Sequence, residues 1–271
     1  VGDVKSGEAP VPIQESLVPE NPWYAAVSNG GDQIVWVEIT SGRSGRMASL
    51  TVTDLQNASN HTISRAGYIF FPAWSPDDAH IAYYHGPPSA IGVDGFVLRR
   101  LDLATDDMQD IVVAPPSLPS RPAPLRDRPP LWSPDGRRLL FEARYDSSIP
   151  PEAPRYHVAA SGAEPPERAE GFRWYRDGDH LLKGIEPNED DSEWQEYRLA
   201  VLDLTRPKGP QNPKPLPVKI PRHSEIGPCT SDGNYIAYRT MMGPVFIVDL
   251  ETGVHTKVFE PEGTCTLYWV E

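Results

Sequence analysis

A short block recurs along this chain and restricts it to folds built from repeated hairpins. Pro72-Ala73-Trp74-Ser75-Pro76-Asp77-Asp78 runs into Ile81-Ala82-Tyr83-Tyr84, and Pro130-Leu131-Trp132-Ser133-Pro134-Asp135-Gly136 runs into Leu139-Leu140-Phe141. Looser copies are Phe172-Arg173-Trp174-Tyr175-Arg176-Asp177-Gly178 before Leu181-Leu182 and Pro228-Cys229-Thr230-Ser231-Asp232-Gly233 before Tyr235-Ile236-Ala237-Tyr238. An earlier copy is Ala26-Val27-Ser28-Asn29-Gly30-Gly31 before Ile34-Val35-Trp36-Val37. Ser-Pro-Asp-Gly suits a type I turn, because proline presets φ at the second position, aspartate tolerates the third and glycine the fourth. The segment before each turn reads as a short strand ending in tryptophan. The apolar and aromatic run after it reads as a strand buried on both faces.

A third strand then ends in Asp-Leu: Leu50 to Leu55, Leu98 to Leu103, Leu199 to Leu204 and Val245 to Leu250. Turns such as Glu251-Thr252-Gly253 lead to a weaker fourth strand, for example Val254 to Phe259. Aligning positions 28, 75, 133, 175 and 230 gives spacings of 47, 58, 42 and 55 residues. A period of about 40–45 with insertions belongs to β-propeller blades, four antiparallel strands each. The expected fold is therefore all-β, a single propeller over 22–271 preceded by an extended segment, 1–22. Five repeats are complete. A sixth blade can be assembled from 263–270 and 11–18, so five and six blades both stand.

Composition agrees and excludes several classes. Proline makes up 31 of 271 residues, about 11% and roughly twice average usage. Interior proline costs a helix about 3 kcal/mol, so long helices are not expected. The net charge of −13, with no basic stripe, argues against nucleic acid as a partner. No run of 18 apolar residues is present, so no membrane-inserted helix is expected. The chain opens at Val1 without a basic-then-apolar leader, which fits either an intracellular protein or one whose leader or anchor has been removed.

The two Trp-Ser-Pro-Asp copies at 74–77 and 132–135, with the Asp-Leu strand ends, resemble the TolB-like, or WD40-like PD40, β-propellers. The resemblance covers roughly 22–271, and the third repeat departs from it, running Tyr156 to Gly162 without Asp-Leu. It implies a rigid scaffold with protein partners at a cell envelope. Fold analogy alone does not assign function.

Trp74, Trp132 and Trp174 read as packing between blades, and Asp77, Asp135, Asp177 and Asp232 as turn residues bonded to backbone. Gly42-Arg43-Ser44-Gly45-Arg46 lacks the last glycine of a nucleophile elbow and has no α/β segment after it, so a peptidase is discarded. A funnel glycosidase needs two carboxylates on innermost strands, and only Glu225 lies near one. Glu189-Asp190-Asp191-Ser192-Glu193 has no calcium-loop spacing and reads as a solvated loop. The histidines at 61, 80, 85, 157, 180, 223 and 255 show no metal-ligand spacing, and no cofactor is expected. Asn57-Ala58-Ser59 and Asn60-His61-Thr62 match a glycosylation pattern that is common by chance. Cys229 and Cys265 occupy equivalent repeat positions, and both a disulfide and two buried thiols fit the sequence.

What remains is insertions at 85–96, 114–130, 142–155 and 186–197. Three of them, 85–96, 142–155 and 186–197, fall between second and third strands and so belong on one rim, where rigid scaffolds carry function. Tyr145 and Trp194 are the aromatic anchor candidates there, beside Glu189, Asp190 and Asp191. The resulting expectation is a monomeric, non-enzymatic protein-binding scaffold. It would be the extracytoplasmic sensor or adaptor propeller of a bacterial envelope protein, tethered through its N-terminus. The alternatives are a small-ligand or carbohydrate-binding propeller and a funnel-type glycoside hydrolase.

Overall fold

The computed structural model describes residues 17–19, 22–42, 45–86, 97–111, 123–124, 129–144, 155–159, 167–169, 173–185, 196–205, 213–221, 224–230, 232–240 and 243–260. Every regular element among them is a strand. The first sheet is β1 (Tyr24–Val27), β2 (Gln33–Gly42), β3 (Gly45–Asp54) and β4 (Ser59–Ala66), antiparallel and in chain order. The second repeats that order with β5 (Tyr68–Trp74), β6 (His80–Gly86), β7 (Val97–Asp102) and β8 (Met108–Ile111). The third departs from the expected four strands. Besides β10 (Leu131–Trp132), β11 (Arg138–Arg144), β12 (Arg155–Ala159) and β13 (Glu167–Ala169), it holds β9 (Ala123–Pro124), paired with the end of β11. Part of the proline-rich stretch 114–130 is thus strand rather than insertion.

The fourth sheet is β14 (Arg173–Tyr175), β15 (Asp177–Ile185), β16 (Glu196–Asp203) and β17 (Lys214–Pro221). The fifth is β18 (Glu225–Cys229), β19 (Tyr235–Arg239), β20 (Val245–Asp249) and β21 (His255–Phe259). Two compact units divide the chain. One carries the sheets of β1–β13; the other carries β14–β21 together with Ser133–Asp135. The residues proposed for a sixth blade, 263–270 and 11–16, lie outside the described set. Leu17 is described, and its carbonyl accepts from Asn60 Nδ2 at 3.0 Å on the first sheet.

Second strands are buried on both faces, as their apolar runs require: Ile34 to Val37, Ile81 to Tyr84 and Leu139 to Phe141 are all closed to solvent. The cores lie between consecutive sheets. Val35, Val37, Leu50 and Val52 meet Ile69, Trp74, Ile81 and Tyr83, while Phe70, Tyr84, Leu98 and Ile111 on the other face of the second sheet meet Leu139 and Phe141. In the second unit, Leu182, Leu199, Val218 and Ile220 meet Ile226, Ile236, Tyr238 and Val248. Each such side chain contributes about 1.5–3 kcal/mol by leaving water.

The signature turns are hydrogen-bonded as their residue types dictate. Ser75 N–H donates to the His80 carbonyl, His80 N–H donates back to Ser75 Oγ, and that hydroxyl donates to Asp77. Thr230, Tyr235 and Asp232 repeat the arrangement. The fourth turn position has positive φ, filled by Gly31, Gly136 and Gly233 but by Asp78 in the second sheet, at 54°. The fourth sheet breaks the pattern: its turn, which begins at Tyr175 rather than a serine or threonine, tightens onto Arg176, at φ 59°, so that Tyr175 pairs with Asp177. The Asp-Leu ends are explained by two further bonds. Asp54, Asp102 and Asp249 accept backbone N–H groups of the following turn, and Leu55, Leu103, Leu204 and Leu250 donate N–H to Asp32, Ala79, Asp179 and Asn234 carbonyls in the first turn of the same sheet.

Asp78 accepts a left-handed backbone because its carboxylate holds the neighbouring turn, taking Asn29 N–H, Asn29 Nδ2 and Gly30 N–H, each at 2.8 Å. Glycine at 78 would relieve a conformational cost of about 1–2 kcal/mol but lose all three bonds. We expect Asp78→Gly to lower stability by about 1 kcal/mol in urea denaturation; a gain would mean that backbone strain outweighs the clasp.

Candidate functional site

The aspartates that could have formed a carboxylate ring are engaged within their own turns. The Ser75 hydroxyl holds Asp77 below the ordinary carboxylate value of 3.8, and Thr230 does the same for Asp232. Backbone N–H groups of Asn57, Thr105 and Thr252 lower Asp54, Asp102 and Asp249. At Asp177 partial burial pushes upward but is outweighed by His180, whose Nδ1 lies 2.8 Å away, and by the Asp179 N–H. His80 sits between Asp77 and Asp102, at 3.9 and 3.5 Å. Among the described residues, no group of three His, Cys, Asp or Glu side chains is placed to hold a metal ion.

Two of the repeated tryptophans, Trp74 and Trp132, pack between sheets and each makes a specific bond there, while Trp174 is buried. Trp74 Nε1 donates to the Ala26 carbonyl at 2.9 Å, and Trp132 Nε1 donates to the Ala73 carbonyl at 3.0 Å. Ala26 and Ala73 hold the same repeat position, two residues before the turn. In the second unit Cys229 stands where the tryptophans stand, and the link is made from the other side: Arg173 donates through Nε and a terminal nitrogen to the Ile226 carbonyl, at 2.9 and 2.5 Å. Cys229 is a free thiol, pushed up to about 12 by burial against a smaller opposing effect of Arg173, so it stays protonated at neutral pH. Cys265 lies outside the described residues.

The candidate rim residues Tyr145, Trp194, Glu189, Asp190 and Asp191 also lie outside the described set. The strands bounding their segments are described. β6–β7, β11–β12 and β15–β16 are each second and third strands, as expected, although the regular strands run on to Gly86, Arg144 and Ile185 and resume at Glu196. Gly42 and Gly45 pair with each other across the β2–β3 hairpin, so the Ser44 string is a strand-to-strand connection and not an elbow before a helix. Glu225 is the first residue of β18, inside the strand rather than beyond it. Both glycosylation-pattern asparagines are hydrogen-bonded, Asn57 Nδ2 to Asp54 and Asn60 Nδ2 to the Leu17 carbonyl.

The sequence reading missed a cleft within the second unit. It has a volume of about 390 Å³ and is lined by Glu196, Pro217, Lys219, Pro221, Tyr238, Gly253 and His255. Alternation along β17 buries Val218 and Ile220 and turns Pro217 and Lys219 outward. From the fifth sheet, buried Tyr238 shares a 3.0 Å hydrogen bond with His255 Nδ1 and stacks on Phe246. Burial, with a smaller contribution from the Glu196 charge, raises the Tyr238 phenol above its ordinary value. Gly253, at φ 74°, lies so close to the Pro217 carbonyl that a Cβ would strike it. The strand 214–221, with prolines at 215, 217 and 221, was the one available signal; the packing of β17 against the fifth sheet was not written in any local motif.

No protein-family model and no curated protein matches the sequence. Solved structures match its fold. TolB from Acinetobacter baumannii aligns with a TM-score of 0.52 at 20% identity, over 85% of this chain and 53% of TolB. The acylaminoacyl peptidase of Pyrococcus horikoshii aligns at 0.54 and 15%, over 84% of this chain and 38% of the peptidase. Oligogalacturonate lyase from Vibrio parahaemolyticus aligns at 0.52 and 12%, over 79% and 61%. The chain thus spans about half of TolB and less than two thirds of each of the others. At these identities the likeness establishes the fold, a TolB-like β-propeller of antiparallel sheets.

The turn carboxylates set an acid limit. Groups with depressed folded-state pKa add stability above their unfolded value and lose it as pH falls through the folded value. Urea midpoints should therefore be level above about pH 5 and drop progressively below about pH 4. Asp232→Asn should lower the neutral plateau and flatten that acid limb; an unchanged limb would show that Asp232 is not held by Thr230.

Proposed function

We propose that this chain is a non-enzymatic protein-binding scaffold, the extracytoplasmic propeller of a sensor or adaptor in a bacterial envelope. The observation that carries this reading is how the repeated polar residues are used. The turn aspartates bond their own hairpins, and Trp74 and Trp132 bond the neighbouring sheet, which makes them parts of a frame. Insertions concentrate between second and third strands, where a frame can vary without losing a core position. TolB supports the scaffold reading. The peptidase and the lyase support the alternative of a propeller serving an enzyme. The cleft of the second unit favours a second role, binding of a small ligand, since its volume lies in the range of about 300–1,000 Å³ of such sites.

In this reading Tyr145 and Trp194 anchor the partner, and Glu189, Asp190 and Asp191 steer a basic surface toward them. Replacing 145–154 and 186–195 by tight turns leaves every described strand and the residues lining the cleft in place. The parent should capture a partner that can be identified from envelope extracts, more weakly as salt shortens the Debye length below about 8 Å. The trimmed protein should lose that partner while keeping its circular dichroism and urea midpoint. Undiminished capture by the trimmed protein would contradict the assignment.

A further inference from the structure

The fourth sheet carries an arrangement that sheets avoid. Arg198 on β16 and Lys219 on β17 are directly opposite in the antiparallel register, hence on the same face, and both are exposed. Like charges in that relation are destabilising. Among the described residues neither has an ion-pair partner. Glu196, two residues before Arg198 and opposite Pro221, lines the same cleft as Lys219 without bridging to it.

The surroundings make this a shaped site and not a bare patch. Pro217 and Pro221 present rigid apolar rings on either side of Lys219. Tyr238, fixed by His255 and stacked on Phe246, forms the opposite wall, and the approach of Gly253 to the Pro217 carbonyl fixes one end. A ligand that satisfies these groups carries an anion for Arg198 and Lys219, an N–H donor for Glu196 and an apolar side chain for the proline rings. A peptide ending in a free carboxylate carries all three within its last residues.

We infer that this cleft binds the C-terminal residues of an extended peptide, with the terminal carboxylate on Lys219 and Arg198 and a peptide N–H on Glu196. The inference deepens the scaffold reading and rests on it, but it uses a surface that trimming 145–154 and 186–195 does not touch.

The test is titration of the full chain with N-acetyl-Ala-Ala-Leu as the free acid and as the C-terminal amide, followed by NMR or calorimetry. The acid should bind at least about tenfold more tightly than the amide, the scale of one charge-assisted contact. Lys219→Met and Arg198→Met should each weaken the acid several-fold while circular dichroism is unchanged, and Lys219→Arg should retain it. Equal affinity of acid and amide, no saturable binding of the acid, or a preference for N-acetyl-Ala-Asp-Leu-amide over the acid would overturn the inference. Because the probe is a synthetic peptide, that failure is separate from the loss or retention of a protein partner on the rim.

Discussion

The first strand of each sheet has a sheet neighbour on one side only, so half of its backbone groups face away from any strand. Such groups need partners when they are closed to water. Here the partner comes from the next sheet: the Trp74 indole reaches the Ala26 carbonyl and the Trp132 indole reaches the Ala73 carbonyl. Tryptophan suits this place because one side chain supplies both a large apolar surface and a single donor at its edge. This explains why the residue before the turn is tryptophan in the best copies. It also explains Arg173. Where Cys229 stands in place of tryptophan, a guanidinium from the adjoining first strand reaches the Ile226 carbonyl instead.

The second constraint is the turn. In the second and fifth sheets a hydroxyl, a carboxylate two residues later and a left-handed fourth residue close the hairpin, and the same turn receives the leucine N–H that follows the third strand. First, second and third strands are thereby joined at one end by a few bonds. Asp78 extends the scheme to the neighbouring sheet, and does so from a backbone conformation that glycine would occupy more easily.

These local rules are why so much of the fold was legible. The Ser-Pro-Asp-Gly turn, the doubly buried second strand and the Asp-Leu ending all act within one repeat, so residue order alone displays them. What was not legible depends on distant pairing. Ala123–Pro124 joins β11 although it lies in a proline-rich stretch, and β13, Glu167–Ala169, is too short for any periodicity. The turn at Arg176 tightened where Tyr175 stands in place of the serine or threonine whose hydroxyl receives the returning N–H in the first, second and fifth sheets. The cleft escaped notice for the same reason. Glu196, Lys219, Tyr238 and His255 span four strands of two sheets, and packing of Val218 and Ile220 against Ile236 and Val248 brings them together. The rim candidates Tyr145, Trp194 and Glu189 to Asp191 rest on the sequence reading and on the strands that bound them.

The central claim is that a donor reaching between first strands holds neighbouring sheets together, whichever residue supplies it. Arg173→Met keeps the bulk of the side chain and removes its donors, and urea denaturation of the full chain measures the result. The account predicts a loss of about 1.5–3 kcal/mol, the range for charge-assisted hydrogen bonds. Stability within about 0.5 kcal/mol of the parent, the spread of a neutral surface substitution, would contradict it.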